Sequence, residues 1–95
     1  MRDVVEQPDV MQAVDEAKER WARAEDAWSV IPWVLSREPT VGNPLNEGGH
    51  LRSFAYEGSW AHEMPTIWVV YEITETQIII HKVKFTDPTG NAGRA

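Results

Sequence analysis

The stretch from residue 66 to residue 85 alternates apolar and polar side chains, and this alternation constrains the fold more than any other feature of the chain. A period of two is typical of β-strands with one buried face. The segments 66–74 and 77–85 are separated by so few residues that only a tight turn can join them. We therefore predict a β-hairpin that closes an antiparallel sheet.

Pairing across that turn sorts the hairpin residues into two faces. One predicted face holds Ile67, Val69, Tyr71, Ile73, Ile78, Ile80, Lys82 and Lys84. The other holds Trp68, Val70, Glu72, Ile79, His81, Val83 and Phe85. An error of one residue in register would exchange these partners, so the faces depend on the position of the turn.

Residues 9–36 change to a helical period, with an apolar stripe opposite a strongly charged side. The stripe consists of Val10, Val14, Ala17, Trp21, Ala24, Trp28, Ile31 and Leu35. Pro32 has no backbone N–H and its ring clashes with the preceding turn, so we expect a kink or break near Trp28. Ser29 is then the expected cap of a second, short helix. The segment predicts an αα-hairpin.

The remaining segments complete an α+β fold. Residues 1–7 are a candidate edge strand, residues 37–49 are rich in Pro, Gly and Asn and predict a connector, and residues 51–57 form another candidate strand. We predict one domain over residues 1–86, with the αα-hairpin packed on a three- to four-stranded antiparallel sheet. Residues 87–95 contain no apolar anchor and are predicted to be a disordered tail.

Composition excludes several classes of function. The chain has no cysteine, so disulfides and thiolate chemistry are excluded. No apolar run approaches the roughly 18 residues of a membrane span, and the N-terminus has no pattern of a secretory signal, so we expect a cytoplasmic protein with no membrane partner. Motifs for phosphate-binding loops or esterase elbows are absent, and no cofactor is predicted.

Four basic residues are the candidates for chemistry. His81, Lys82, Lys84 and Arg52 are the clustered cations that a phosphate group would meet, with His81 as a proton carrier. The alternative is structural: lysines protect a sheet edge from aggregation, and the histidine packs within its strand. His50 and His62 lack further ligands at readable spacing, so no metal site is predicted.

The chain has five tryptophans, and they divide by context. Trp21, Trp28 and Trp33 lie in the helical segment and are predicted to be core or near-core residues. Trp60 lies in a loop between strands, where it either anchors a partner or folds back over the core.

Two segments resemble the RelE/ParE superfamily of small bacterial toxins. One runs from Asn43-Pro44-Leu45 through Gly48-Gly49 to Leu51-Arg52-Ser53-Phe54, after the helices. The closer one is Trp68-Val69-Val70-Tyr71-Glu72-Ile73, followed by a turn and Ile78-Ile79-Ile80, which is similar to the strand and hairpin that carry Arg-x-Val-Tyr in the family. The resemblance covers roughly residues 9–86.

This resemblance implies the toxin half of a toxin–antitoxin pair, with an antitoxin partner and, for many members, cleavage of messenger RNA on the ribosome. Family cleavage uses a strand arginine and His, Lys or Tyr residues near the C-terminus. Here Trp68 occupies the arginine position, and the terminal His-Tyr positions fall near Thr86 and Asp87. The net charge of −6 also differs from the basic charge of ribosome-directed members.

Three functions follow as hypotheses. The first is a toxin that acts on ribosome-associated mRNA through Arg52, His81, Lys82 and Lys84. The second is a protein-binding module that keeps the fold without catalysis, and the third is a ParE-like inhibitor of DNA gyrase.

Overall fold

In the computed structural model, which describes residues 2–88, two helices lie against one face of a five-stranded mixed sheet. The elements in chain order are β1 (Asp3–Glu6), α1 (Pro8–Arg20), α2 (Ala24–Arg37), a 3-10 turn (Pro39–Val41), β2 (Asn43–Pro44), β3 (Leu51–Tyr56), β4 (Thr66–Ile73) and β5 (Gln77–Thr86). The predicted α+β class is confirmed. The prediction of three or four strands, all antiparallel, is wrong in both number and direction.

The sheet has the strand order β1-β5-β4-β3-β2, in which β1 runs parallel to β5 and every other pair is antiparallel. A parallel pair requires a long crossover, and both helices lie in the chain between β1 and β5. The first strand is at the sheet edge, as its sequence predicted. The opposite edge is formed by β2, whose two residues come from the predicted connector.

The predicted helical stripe is the helical half of the core. All eight of its residues are buried: Val10, Val14, Ala17, Trp21, Ala24, Trp28, Ile31 and Leu35. Five of them pack on the inner face of the sheet, where Ile67, Val69, Tyr71, Ile78 and Ile80 are fully buried. Ala17, Trp21 and Ala24 form a second cluster against Phe85. Full burial of an aliphatic side chain of this size stabilises the fold by about 1.5–3 kcal/mol, so this layer is the main source of stability.

The helices are separated at residues 21–23 and not near Pro32. Trp21 has extended backbone angles (φ −124°, ψ 128°) and ends α1, whereas α2 continues through Pro32. The break allows the rings of Trp21 and Trp28 to approach Phe85, at centroid distances of 6.3 and 6.0 Å. The apolar stripe did not show this break because the side chains on either side of it remain buried.

A β-bulge in the hairpin corrects the predicted faces. Val70 pairs with Lys82 and Tyr71 pairs with Ile80, which leaves His81 as an extra residue on β5. Beyond the bulge the alternation is shifted by one residue. Val83 and Phe85 pack against the core, whereas Lys82 and Lys84 are exposed. The prediction that these lysines share a face with Ile67 and Val69 is therefore wrong.

The packed chain extends beyond residue 86. The indole N–H of Trp21 donates a hydrogen bond to Asp87 Oδ1 at 3.2 Å, and Pro88 is buried. The rest of the predicted tail, residues 89–95, lies outside the described residues. Neither helix is both long and apolar enough to cross a membrane, over the part of the chain that is described.

Candidate functional site

A surface cleft lies where the edge of β5 passes the beginning of α1. Strand β1 ends opposite Ile80, so β5 has no strand neighbour on that side from His81 onward, and α1 begins there at Pro8. The cleft has a volume of about 380 Å³. We call it the β4–β5 cleft, and it is lined by Asp9, Val10, Trp68, His81, Lys82, Val83 and Lys84.

Three of the four predicted site residues border this cleft. Lys82 and Lys84 are exposed and alternate along β5, with Val83 directed to the core between them. Within residues 2–88, neither lysine forms an ion pair with a carboxylate. Both ammonium groups are consequently available to an anion from solution.

Trp68 forms the aromatic wall of the cleft. It is the direct cross-strand neighbour of Lys84, on the sheet face that the helices leave uncovered. The side chain is 40% exposed, which is unusual for a residue in a central strand of the sheet. An indole beside a lysine presents a stacking surface next to a positive charge.

His81 owes its position in the cleft to the bulge. As the extra residue of β5 it has no partner in register on β4. Its Nε2 lies 2.9 Å from Glu72 Oε1, and the two side chains are 36% and 42% exposed. The imidazole therefore reaches both the cleft and a carboxylate, which is an arrangement suited to proton transfer.

Arg52 is the predicted site residue that the structure does not bring to the cleft. It lies on β3 opposite Tyr71, on the helix side of the sheet. Its Nε donates to the carbonyl of Gly49 at 2.8 Å, and its Nη1 donates to those of Gly42 at 2.8 Å and Thr40 at 3.2 Å. The guanidinium group thus holds the connector against β3.

Three residues of the site, Trp68, Glu72 and Asp9, were not among the predicted site residues. Glu72 was assigned to the same face as His81, but nothing in the alternation indicated that the two side chains meet. Asp9 lies in the first turn of α1, which begins at Pro8 after an N-cap at Gln7. The contact between Glu72 and His81 depends on the bulge, and the approach of Asp9 depends on the crossover from β1 to α1, so neither could be inferred from the alternation alone.

The other histidines lie elsewhere. The Nδ1 of His62 is 3.0 Å from Ser59 Oγ in an exposed turn, and His50 borders a separate depression together with Arg2 and Glu72. Among residues 2–88, no three His, Asp or Glu side chains are grouped so that they could hold a metal ion.

The tryptophans of the helical segment do not all belong to the core. Trp21 and Trp28 are buried as predicted, but Trp33 is 58% exposed, and the guanidinium of Arg37 lies 4.6 Å from its ring centroid. Trp33 lies on the outer side of α2, so its assignment to the core or its margin is wrong. Trp60 is 50% exposed in the loop before β4.

The fold and the cleft together define a small two-layer α+β protein with a cationic, aromatic cleft at one sheet edge. No protein-family model matches the chain, no curated protein matches it, and no solved structure matches it.

Proposed function

We propose that this chain is a RelE/ParE-like toxin component of a toxin–antitoxin pair, acting on single-stranded RNA, with ribosome-associated mRNA as its target. One observation carries the proposal: an aromatic residue, two exposed lysines and a histidine border the same cleft, namely Trp68, Lys82, Lys84 and His81. The sequence resemblance adds the expectation of a partner antitoxin that neutralises the activity.

The cleft has the two features that single-stranded RNA requires. An exposed aromatic ring accepts an unpaired base by stacking, which typically contributes about 1–3 kcal/mol per base. Trp68 provides that ring, and Lys84 lies directly across from it, where the backbone phosphate of a stacked nucleotide would be. A base within a duplex is unable to reach the indole in this way, so the cleft favours single strands.

The chemistry would centre on His81. In RNA cleavage by internal attack, the 2′-hydroxyl oxygen bonds to the adjacent phosphorus and loses its proton, while the 5′-oxygen leaves and gains one. An imidazole in reach of the ribose accepts the first proton or supplies the second. The lysines offset the developing negative charge at phosphorus. Because Trp68 replaces an arginine, we expect slower cleavage than in a site with a bidentate cation.

The experiment compares the wild type with Trp68→Ala and His81→Asn, in a bacterial host and in solution. Induced expression of the wild type is expected to arrest growth, and the purified chain is expected to cleave a labelled single-stranded RNA. Both variants should relieve the arrest. Trp33→Ala is the matched control, since it removes an exposed tryptophan that lies on α2 and outside the cleft. Harmless expression with intact RNA would refute the proposal.

A second candidate is a protein-binding module of the same fold without catalysis. It is favoured by the net charge of −6, which opposes the approach of RNA, and by an open sheet edge. Strand β2 covers only Arg52 and Ser53, so residues 54–56 of β3 have no strand neighbour on that side within the described chain. An extended peptide can add to such an edge.

Two observations distinguish the candidates: whether expression arrests growth, and which protein co-purifies with the chain. A binding module is expressed without growth arrest, leaves RNA intact and co-purifies with a small neighbouring gene product. In that case Ala55→Pro, on the open edge of β3, is expected to weaken the complex, because proline removes a backbone donor. A toxin gives growth arrest that the same gene product reverses.

A further inference from the structure

His81 contacts the carboxylate of Glu72, a contact that the sequence resemblance does not imply. Glu72 Oε1 lies 2.9 Å from Nε2 of His81, across the β4–β5 pair. Glu72 does not line the β4–β5 cleft, whereas His81 does. The ring therefore lies between the carboxylate and the cleft.

The contact with Glu72 determines which ring nitrogen carries the proton. A carboxylate at this distance accepts a hydrogen bond, so Nε2 must be the donor in the neutral imidazole. The other nitrogen, Nδ1, then has a free lone pair. No described residue donates a hydrogen bond to Nδ1, which leaves it for a ligand in the cleft.

The bulge makes this arrangement possible. A regular ladder would give His81 a register partner on β4, whereas the bulge leaves it without one, between the pairs Val70–Lys82 and Tyr71–Ile80. Glu72 lies two residues beyond Val70 on β4, on the same side of the sheet as Trp68 and Val70. The irregularity thus brings together a pair of side chains that are nine residues apart in the sequence.

We propose that Glu72 is a positioning residue, which holds the Nε2 proton of His81 so that Nδ1 faces the cleft as the proton acceptor. This inference rests on the proposed action on RNA, and it assigns the direction of proton transfer in that action. Glu72 itself touches no ligand. It orients the ring and selects its tautomer, as carboxylates do for histidine ligands and catalytic histidines in general.

The first test measures the tautomer directly in the full chain without RNA. Nitrogen NMR of ¹⁵N-histidine protein, with the His81 signals assigned through His81→Asn, distinguishes a protonated from an unprotonated ring nitrogen. His50 and His62 are internal references. The spectra are recorded on the neutral imidazole. The charged groups around the ring are Glu72, Asp9, Lys82 and Lys84.

The expected wild-type result is an Nε2-protonated His81. A hydrogen bond to a charged acceptor is strong enough to bias the tautomers by about tenfold or more. Glu72→Gln keeps the size of the side chain and removes the charge, so the bias is expected to fall toward an even mixture. Glu75→Gln is the matched control, because it removes one negative charge from the exposed hairpin turn and leaves His81 in place.

The second test measures the rate of RNA cleavage and the affinity for RNA. Glu72→Gln is expected to lower the rate of RNA cleavage by about twofold with unchanged affinity, because the fraction of His81 with a free Nδ1 lone pair falls from about nine-tenths to about one half. Glu75→Gln should change neither quantity. A wild-type His81 protonated on Nδ1, or a cleavage rate that is unaffected when the tautomer changes, would overturn the inference.

The two proposals fail in different ways. If the wild type cleaves no RNA and His81 is nevertheless protonated on Nε2, the proposed function is refuted and the positioning by Glu72 stands. If RNA is cleaved and the Glu72→Gln variant keeps both tautomer and rate, the toxin proposal stands and the role of Glu72 is refuted.

Discussion

Gly42 and Tyr71, 29 residues apart in the sequence, are joined by a hydrogen bond in which the Gly42 N–H donates to the Tyr71 hydroxyl at 3.0 Å. The same hydroxyl donates to the carbonyl of Pro39 at 2.5 Å. Tyr71 is fully buried in a central strand, so this one oxygen fixes the connector to the core of the sheet. A Cβ on residue 42 would lie only 2.9 Å from that oxygen, which requires glycine there.

We expect Tyr71→Phe to lower the free energy of unfolding by about 1–3 kcal/mol, because the Gly42 N–H and the Pro39 carbonyl lose their partner. Urea unfolding followed by circular dichroism measures the change. Tyr56→Phe is the matched control, since Tyr56 is only partly buried and no hydrogen bond of its hydroxyl enters this connection. Equal losses in the two variants would argue against an anchoring role for Tyr71.

The free energy of unfolding at alkaline pH gives a second test of the Tyr71 hydroxyl. Burial raises the pKa of Tyr71 above its ordinary value of 10.0, while the Gly42 N–H and the positive charge of Arg52 act in the opposite direction. The unfolded chain therefore loses this proton at lower pH than the folded chain, and the free energy of unfolding decreases as pH rises above about 10.

Tyr71→Phe lacks this ionisation. The stability difference between wild type and Tyr71→Phe is expected to shrink between about pH 8 and pH 11. Urea unfolding at each pH checks this. A difference that stays constant or grows over that range would contradict the raised pKa.

Arg52→Ala is expected to destabilise the chain by about 1–3 kcal/mol, since three carbonyl groups of the connector lose a charged donor. Its affinity for single-stranded RNA is expected to remain that of the wild type, because Arg52 does not border the β4–β5 cleft. Arg37→Ala removes an exposed arginine from α2 and is the control for net charge. A stable Arg52→Ala variant that fails to bind RNA would show that Arg52 is part of the RNA-binding site.

The sequence predicted most of the core, because burial follows from periodicity. Every residue of the helical stripe is buried, and the hairpin forms over nearly the predicted residues. The stripe is continuous through Trp21, however, and so contains no signal for the break there. Pro32 was interpreted as the break, but the helical hydrogen bonds around it maintain α2 despite the missing donor.

The site was predicted less well, for a related reason. The bulge at His81 inverts the alternation of β5, and a bulge depends on pairing between strands that one strand's sequence does not specify. That inversion moves Lys82 and Lys84 onto the side of Trp68. Arg52 was grouped with them by its charge and by the resemblance, whereas its hydrogen bonds depend on where the connector returns to the sheet.

Replacing Pro32 with alanine is expected to stabilise the chain by about 1 kcal/mol or more. The variant restores a backbone donor inside α2 and removes a ring from a helix interior, which outweighs the added freedom of the unfolded chain. Thermal and urea unfolding measure the gain. Ser29→Ala in the same helix is the control for a general gain in helix propensity. A loss of stability in Pro32→Ala would mean that the proline packs in a way that alanine does not replace.

The salt dependence of RNA affinity separates phosphate contacts from stacking. Each lysine that neutralises a phosphate of a single strand contributes about −0.7 to the slope of log affinity against log salt. Lys82→Ala and Lys84→Ala are each expected to reduce the slope by about that amount, whereas Trp68→Ala should weaken binding with the slope unchanged. Lys18→Ala is the control, because Lys18 lies on α1 beside Asp15 and Glu25. Fluorescence anisotropy of a labelled RNA measures all four variants. If Lys18→Ala changes the slope as much as Lys84→Ala does, the binding reflects overall charge and the cleft has no specific role.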